Sequence, residues 1–515
     1  MQDKEKKQSF SLIKSLSNVN PVAKTAFFAC LITGLIAHGY AMTNNFLTYD
    51  SMWNIYSNQN MISSGRQFLT FACGLGSYFD LPWVNGLLAL LYLSVTAAML
   101  TQIFGMERKI SGILTGALLA SFPAVTSTFF YSFTVDGYML AVLLSVLAFI
   151  VCDRTKWGFL AAVPILGFSI GIYQSYISVT IIICITILLM RILTDDVKSL
   201  LNKSWRYVVM GAGSYLFYFV TLKLMLAVEG QEMSGYQGSD AINGVSSSVL
   251  MLGLKNAFNK FRWFAMYENV LTTFDYMKIG FVVAALVATA VYIILFIKNR
   301  AYKNIVKIIA VLVLVALIPF GATLAMIISP YMNFHLLMRL PWVIFFVFAV
   351  RLAELFETKK EKRPAIYVNA VAIILLVWGF IVTANIGYFN MNERYEKTYA
   401  TCVRMVDRLE RTPGYKHGDK VAVLGGNLNT ESFPETDITK EYMVGYFGGD
   451  GELCVNSTAK YAEFMKHYLG VTITTIPDAK EIELTTTDEF KAMPNFPAAD
   501  SIQKIDDVWV IRING

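Results

Sequence analysis

The sequence predicts a mainly α-helical polytopic membrane protein: a bundle of about eleven spanning helices with a small C-terminal α/β domain outside the membrane. Three observations predict it. Across 515 residues, hydrophobic types make up 55% and charged types 16%, against about 45–50% and about 25% in an ordinary soluble domain. Apolar runs long enough to cross a hydrocarbon core of about 30 Å recur along the chain. The short loops between them are alternately rich and poor in Lys and Arg. This composition excludes a disordered chain and a uniform soluble core, and six cysteines are too few for a disulfide framework. The net charge is +6, yet no long basic run is interleaved with aromatics, so no nucleic-acid partner is predicted.

In chain order the apolar runs cover residues 22–42, 81–100, 110–131, 135–152, 157–174, 175–193, 207–228, 279–297, 304–329, 336–355 and 366–388. Gly167, Gly171 and the block Tyr173-Gln174-Ser175-Tyr176 interrupt one long apolar stretch, which predicts two helices or one broken helix. Lys and Arg collect before the first run and then in every second loop, ending with Lys359, Lys360, Lys362 and Arg363. The N-terminus is therefore assigned to the cytoplasm, and an odd number of spans puts the tail outside. Residues 1–21 form a cytoplasmic segment in which 9–20 alternates apolar and polar residues like an interfacial helix. The Lys-rich start resembles a signal peptide but lacks a small-residue cleavage site, which favours a retained helix.

Residues 22–388 make the transmembrane domain, with two large outside loops at 43–80 and 229–275. Residues 389–515 make the outside domain. Its pattern predicts a helix over 393–411, strands over 421–424, 471–474 and 508–511, and a helix over 458–469. Gly425-Gly426 follows the first strand without phosphate-loop spacing and reads as a strand-ending turn. Cys402 and Cys454 are left open between a disulfide and two buried thiols.

Polar residues beside spans are expensive in lipid and mark candidate sites. Asp50 lies in Leu47-Thr48-Tyr49-Asp50-Ser51-Met52-Trp53, and Asp136 opens the fourth span on the same face. Each is either a solvated helix-start residue or a working carboxylate. Asp80, before Leu81-Pro82, reads as a helix cap. Outside cations are scarce by the orientation rule. Arg66 suits a phosphate, which a guanidinium holds through paired hydrogen bonds. Lys255, Lys260 and Arg262, followed by Trp263, Tyr267 and Glu268, fit a helix in the interface, either as an anchor or as a lipid-phosphate site. His335 and Arg339, four apart, are expected on one helix face, where the Arg needs a partner or a phosphate. Tyr173 and Gln174 suit either a sugar contact or helix-to-helix bonding.

Carboxylates, isolated cations and aromatic and amide groups thus gather on the outer face of the bundle. The set fits transfer of a sugar from a lipid-linked phosphosugar to an acceptor hydroxyl, with a carboxylate as general base and Arg or Lys holding the departing phosphate.

These features come in a suggestive order: the Asp50 loop, Ser64-Gly65-Arg66-Gln67-Phe68, Leu81-Pro82-Trp83-Val84-Asn85-Gly86, Ser121-Phe122-Pro123 with Asp136, Gly171-Ile172-Tyr173-Gln174-Ser175-Tyr176, Pro330-Tyr331-Met332, and the closing Val508-Trp509-Val510-Ile511. In that order the chain resembles the bacterial membrane glucosyltransferases of the O-antigen serotype-conversion type, within the GT-C class. The resemblance implies a GT-C-like bundle in the bacterial plasma (inner) membrane. It also implies a polyprenyl-phosphate sugar donor, often carrying glucose, and a cell-surface polysaccharide acceptor. Asp50 would be the catalytic base, and transfer would invert the anomeric carbon; Asp136 stays the second catalytic candidate from its position at the opening of the fourth span. Arg66, Arg339, His335, Lys255, Lys260 and Arg262 are then the candidates for the donor phosphate, and Tyr49, Trp53, Tyr173 and Gln174 for sugar or acceptor. Ser51 after Asp50 and Gln67 after Arg66 depart from the family's Asp-Asp and Gly-Arg-Trp patterns, so no obligatory metal and no cofactor are expected. The competing reading is a flippase or transporter for a polyprenyl-linked lipid or polysaccharide, whose polar residues would line a path through the bundle rather than one end.

Overall fold

The computed structural model describes residues 20–44, 46–235, 247–356, 365–426, 428, 447–448 and 452–514. The proposed interfacial helix over residues 9–20 lies outside the described residues, apart from Asn20. That residue caps the first helix, its Oδ1 accepting from the Val22 N–H at 2.8 Å, with Pro21 at the first helical position, where its missing N–H costs nothing.

Every apolar run is helical. In order the bundle holds α1 (Pro21–Thr43), α2 (Pro82–Ile103), α3 (Lys109–Ser121), α4 (Pro123–Phe129), α5 (Val135–Arg154), α6 (Gly158–Ile172) and α7 (Ile177–Ile192). It continues with α8 (Val197–Glu229), α9 (Ser247–Met266), α10 (Asp275–Lys298), α11 (Ile305–Ala322), α12 (Leu324–Ile328), α13 (Val343–Phe356) and α14 (Ala365–Arg411). Among the described residues nine helices are long and apolar enough to cross a membrane, and the α3–α4 pair, bent by 43°, makes a tenth. Pro123 causes that bend by forcing Phe122 out of helical geometry. The short apolar α6 fills the remaining predicted position. Its break from α7 falls where expected: Tyr173 is extended and Gln174–Tyr176 makes a single tight turn.

Small residues set the closest approach. Gly112 and Gly116 on α3 face α1, and a β-carbon on them would lie 2.7 Å from Val22 O and 2.7 Å from Cys30 N respectively, the small-xxx-small contact of membrane bundles. Gly116→Val is therefore expected to cost about 1–3 kcal/mol by overpacking, seen as a lowered thermal midpoint in detergent. An unchanged midpoint would show that α1 and α3 can separate freely. His38 ties three helices together: its Nε2 donates to Ala120 O at 2.8 Å and its Nδ1 accepts from the Tyr388 hydroxyl at 2.7 Å.

The sequence separates the last span at 388 from a tail helix beginning at 393. The structure corrects this: α14 is one unbroken helix of 47 residues, about 70 Å long against a hydrocarbon core of about 30 Å. Its C-terminal half enters the tail core, where Cys402, Met405, Val406 and Leu409 pack with Leu47 and Met52 of the first loop.

The tail carries β1 (Lys420–Leu424), α15 (Thr458–Phe464), α16 (Asp478–Thr486), α17 (Asp488–Ala492), β2 (Ile502–Ile505) and β3 (Val508–Arg512). The sheet order is β1-β3-β2, with β1 parallel and β2 antiparallel to β3. The strand expected over 471–474 is absent. Only Thr474 bridges to Lys420, because Gly470 at φ +68° and Pro477 confine the segment to a short connection. The strand not expected, β2, forms the opposite edge, beyond β3. Gly425, at φ +108° and pressed against Asn514, ends β1 as the turn reading expected. Cys402 and Cys454 are separate buried thiols.

Candidate functional site

The first loop, between α1 and α2, meets the tail domain, the end of α4 and the start of α5 at one end of the bundle. Leu47 and Met52 anchor it in the tail core, while Phe46 stacks on Tyr388 of α14 with ring centroids 5.5 Å apart. Three polar groups result.

Arg66 heads the first. A turn over Ile62–Ser64 closes on Gly65, whose φ of +76° and contact with Gln174 and Tyr218 leave no room for a side chain. Arg66 then points at the α6–α7 break. Its Nη1 donates to the Tyr138 hydroxyl at 3.1 Å and its guanidinium lies 5.0 Å from the Tyr173 ring centre. Tyr138 and Tyr173 are themselves 4.4 Å apart. Gln174 Nε2 donates to Ser64 O and Gly65 O, both at 2.9 Å, so this amide holds the loop, a tie neither predicted use named. Arg66, Tyr173, Gln174 and Tyr218 line one cleft with Ser329 and Met338.

Asp50 belongs to the second group, near the tail. It is exposed and leads into the turn Ser51–Trp53, with Asn54 Nδ2 donating to its backbone carbonyl at 2.7 Å. Lys460, from α15, sits 5.0 Å from the centre of the Tyr49 ring. Burial pushes the Lys460 ammonium below its usual range, and the nearby charge of Asp50 pulls it back part of the way. Arg394 approaches the same ring at 6.0 Å while donating to Leu453 O at 2.8 Å. Trp53 is exposed beside them.

The third group is buried. Asp136, in the first turn of α5, is 1% exposed rather than solvated. Asp80 is not the cap of α2, a correction to the sequence reading: Leu81 holds that position without a side-chain bond. The Asp80 carboxylate turns inward instead, where Oδ2 accepts from the Ser132 hydroxyl at 3.0 Å. Burial pushes its pKa up to about 6, with the Ser132 bond pulling the other way. Asn85 joins them from α2, its Nδ2 donating to Ser132 O at 3.2 Å.

The remaining predicted cations are placed elsewhere. Arg339 is buried in an ion pair with Glu268 and lies 4.9 Å from the Phe264 ring centre. Its segment, Leu336–Trp342, is a tight helix of three residues per turn. His335 precedes that helix as its cap, so the two do not share the face that four-residue spacing suggested. Lys255 and Arg262 are exposed on α9 and Lys260 is half-buried there, with Arg262 5.8 Å from the Tyr267 ring centre. That helix packs its Gly253 face on the α12 backbone.

Lys460, Tyr138 and Asn85 escaped the sequence reading as site residues, and Asp80 entered it only as a helix cap. Asn85 left a signal, an amide inside an apolar run; Lys460 left none, because only the fold brings α15 to the first loop. Among the described residues no group of three or more His, Cys, Asp or Glu converges as a metal set. The family profile of Glucosyl transferase GtrII matches residues 39–350, from the end of α1 into α13. No curated protein and no solved structure matches the chain.

Proposed function

The chain belongs to the Glucosyl transferase GtrII family, and on that premise we propose that this membrane glucosyltransferase moves glucose from a polyprenyl phosphate to a cell-surface glycan, on the outer face of the bacterial plasma membrane. One observation carries the choice of donor. The Arg66 cleft continues, through shared Ile177 and Leu324, into an apolar trench between α7, α8 and α11 that reaches Ile192 and Leu200. Along α7 this is about 22 Å, most of the depth of a hydrocarbon core. A guanidinium at the head of such a trench matches a phosphate on a long prenyl chain.

In this reading the donor phosphate meets Arg66, and Asp50 takes the proton of the acceptor hydroxyl. The freed oxygen attacks the anomeric carbon, the bond from that carbon to the phosphate oxygen breaks, and the electron pair leaves on polyprenyl phosphate. The configuration inverts. Lys460 lies within reach of the Asp50 charge, and Tyr49 and Trp53 offer ring faces to sugar. Asp136 is assigned to positioning, since it lies buried beneath the loop. The alternation of basic loops supports a cytoplasmic N-terminus and an outside tail.

A flippase needs polar stations for the headgroup along its path. The trench offers only Thr180, Ser204 and Tyr207 among its described lining, and the Tyr207 hydroxyl is engaged by Asp153 at 2.7 Å. Enzymatic transfer is the better fit.

Gly211 provides the test. It lines the trench, and a β-carbon there meets nothing within 4 Å, so the side chain of Gly211→Trp starts from open space and occupies the trench. With polyprenyl-phosphate [14C]glucose the KM is expected to rise about tenfold, equivalent to about 1.4 kcal/mol of lost apolar contact. With a short-chain prenyl-phosphate glucose it should stay at the wild-type value. Equal effects on both donors would remove the tail from the trench, and no transfer from either by wild type would sink the donor assignment.

A further inference from the structure

Beneath the first loop, Asp80, Asn85 and Asp136 present four buried side-chain oxygens that accept no hydrogen bond: Asp80 Oδ1, Asn85 Oδ1 and both oxygens of Asp136. The orientation of Asn85 is set by its other end, which donates to Ser132 O and faces Phe79 O, so Oδ1 is the atom turned inward. It shares one small volume with Asp136: a methyl group built on Gly76 would collide with Asn85 Oδ1 and lie 3.6 Å from Asp136 Oδ2. The Asp80 and Asp136 carboxylates are close enough for their charges to interact. The Cys73 thiol and the backbone N–H groups of Asp136 and Gly137 act on the Asp136 carboxylate from beside it, but none forms a full hydrogen bond to either oxygen.

Four acceptors without a full hydrogen bond are costly in a low-dielectric interior, where an under-compensated carboxylate is the most expensive group of all. Hard cations take this kind of ligand set, carboxylate and amide oxygens together. We infer that Asp80, Asn85 and Asp136 bind one hard divalent cation of the Mg2+, Mn2+ or Ca2+ class. The third protein ligand is an amide rather than a carboxylate, and none of the three belongs to the Asp50–Ser51 or Arg66–Gln67 positions from which no obligatory metal was expected. Bound there, the ion fastens the end of the first loop at Asp80 to α2 at Asn85 and to the first turn of α5. Arg66 and Tyr138 meet across that same loop and helix, so the ion steadies the donor cleft from below without touching the reacting atoms.

The experiment uses the full chain in detergent, stripped with EDTA. Adding Mn2+ is expected to give one bound ion per chain by electron paramagnetic resonance, and to raise the thermal midpoint by at least about 3 °C. Both signals should disappear in Asn85→Ala and Asp136→Asn. Asn85→Asp adds a third carboxylate, so it should bind Mn2+ more tightly than wild type and melt lower than wild type in EDTA. Failure of Asp136→Asn to fold would leave the two Asn85 variants to decide. No bound Mn2+ in wild type would overturn the inference in favour of protonated carboxylates, as would binding that survives in Asn85→Ala.

Discussion

Asp50→Asn is expected to lower glucosyl transfer by about 10²–10⁴-fold, the usual contribution of a positioned general base, with the melt unchanged. The stability half of that expectation comes from exposure. The Asp50 side chain caps nothing, and the backbone carbonyl that Asn54 uses is retained in the variant. Chemistry supplies the other half, since an amide cannot take the acceptor proton. Lys460 loses its charged neighbour but keeps its place against Tyr49, so donor KM should move little while kcat falls. Near-normal turnover would remove Asp50 as the base and return attention to Asp136.

Arg66→Ala should act on the opposite parameter. A charge-assisted hydrogen bond is worth about 1.5–3 kcal/mol, so donor KM is expected to rise about 10–150-fold. Arg66→Lys should recover only part of this, because an ammonium lacks both the planar fork and the stacking that sets the guanidinium over Tyr173. Arg339→Ala is the contrasting case. Its partner Glu268 is already in place, and removing one member of a buried pair costs about 3–5 kcal/mol of stability. That loss belongs in the melt and not specifically in the donor KM. If Arg339→Ala raised donor KM with an intact melt while Arg66→Ala did not, the phosphate would belong with Arg339.

Most of the bundle was legible in the sequence because lipid enforces a simple rule: about twenty apolar residues per crossing and charge at the ends. The eleven runs, the break at Tyr173 and the placement of Asp136 in the first turn of a span all follow from it. The rule says nothing about what happens beyond the membrane surface. Hydropathy falls after Tyr388, and that fall looks like a helix end although α14 continues. In the tail, strand propensity over Val471–Thr474 lost to the Gly470 and Pro477 that bracket it, while Gln503 and Lys504 hid β2 as an edge strand with a wet face. Site residues failed for a different reason. Asp80 beside Pro82 has the local pattern of a cap, and only the placement of Ser132 reveals that its carboxylate faces inward. Arg339 looked uncompensated because Glu268 lies 71 positions earlier in the chain.

The unbroken α14 also links the tail's height to its heading. In a continuous helix each residue adds about 1.5 Å of length and about 100° of rotation, so a single insertion between Tyr388 and Arg394 would lift the tail slightly and swing Lys460 far from Asp50. Only changes near a whole number of turns return the domain to the same azimuth. The stalk is therefore indexed, like a screw thread. Adapting this scaffold to a bulkier acceptor by raising the tail must proceed in steps of about 5.4 Å, or begin by breaking the helix.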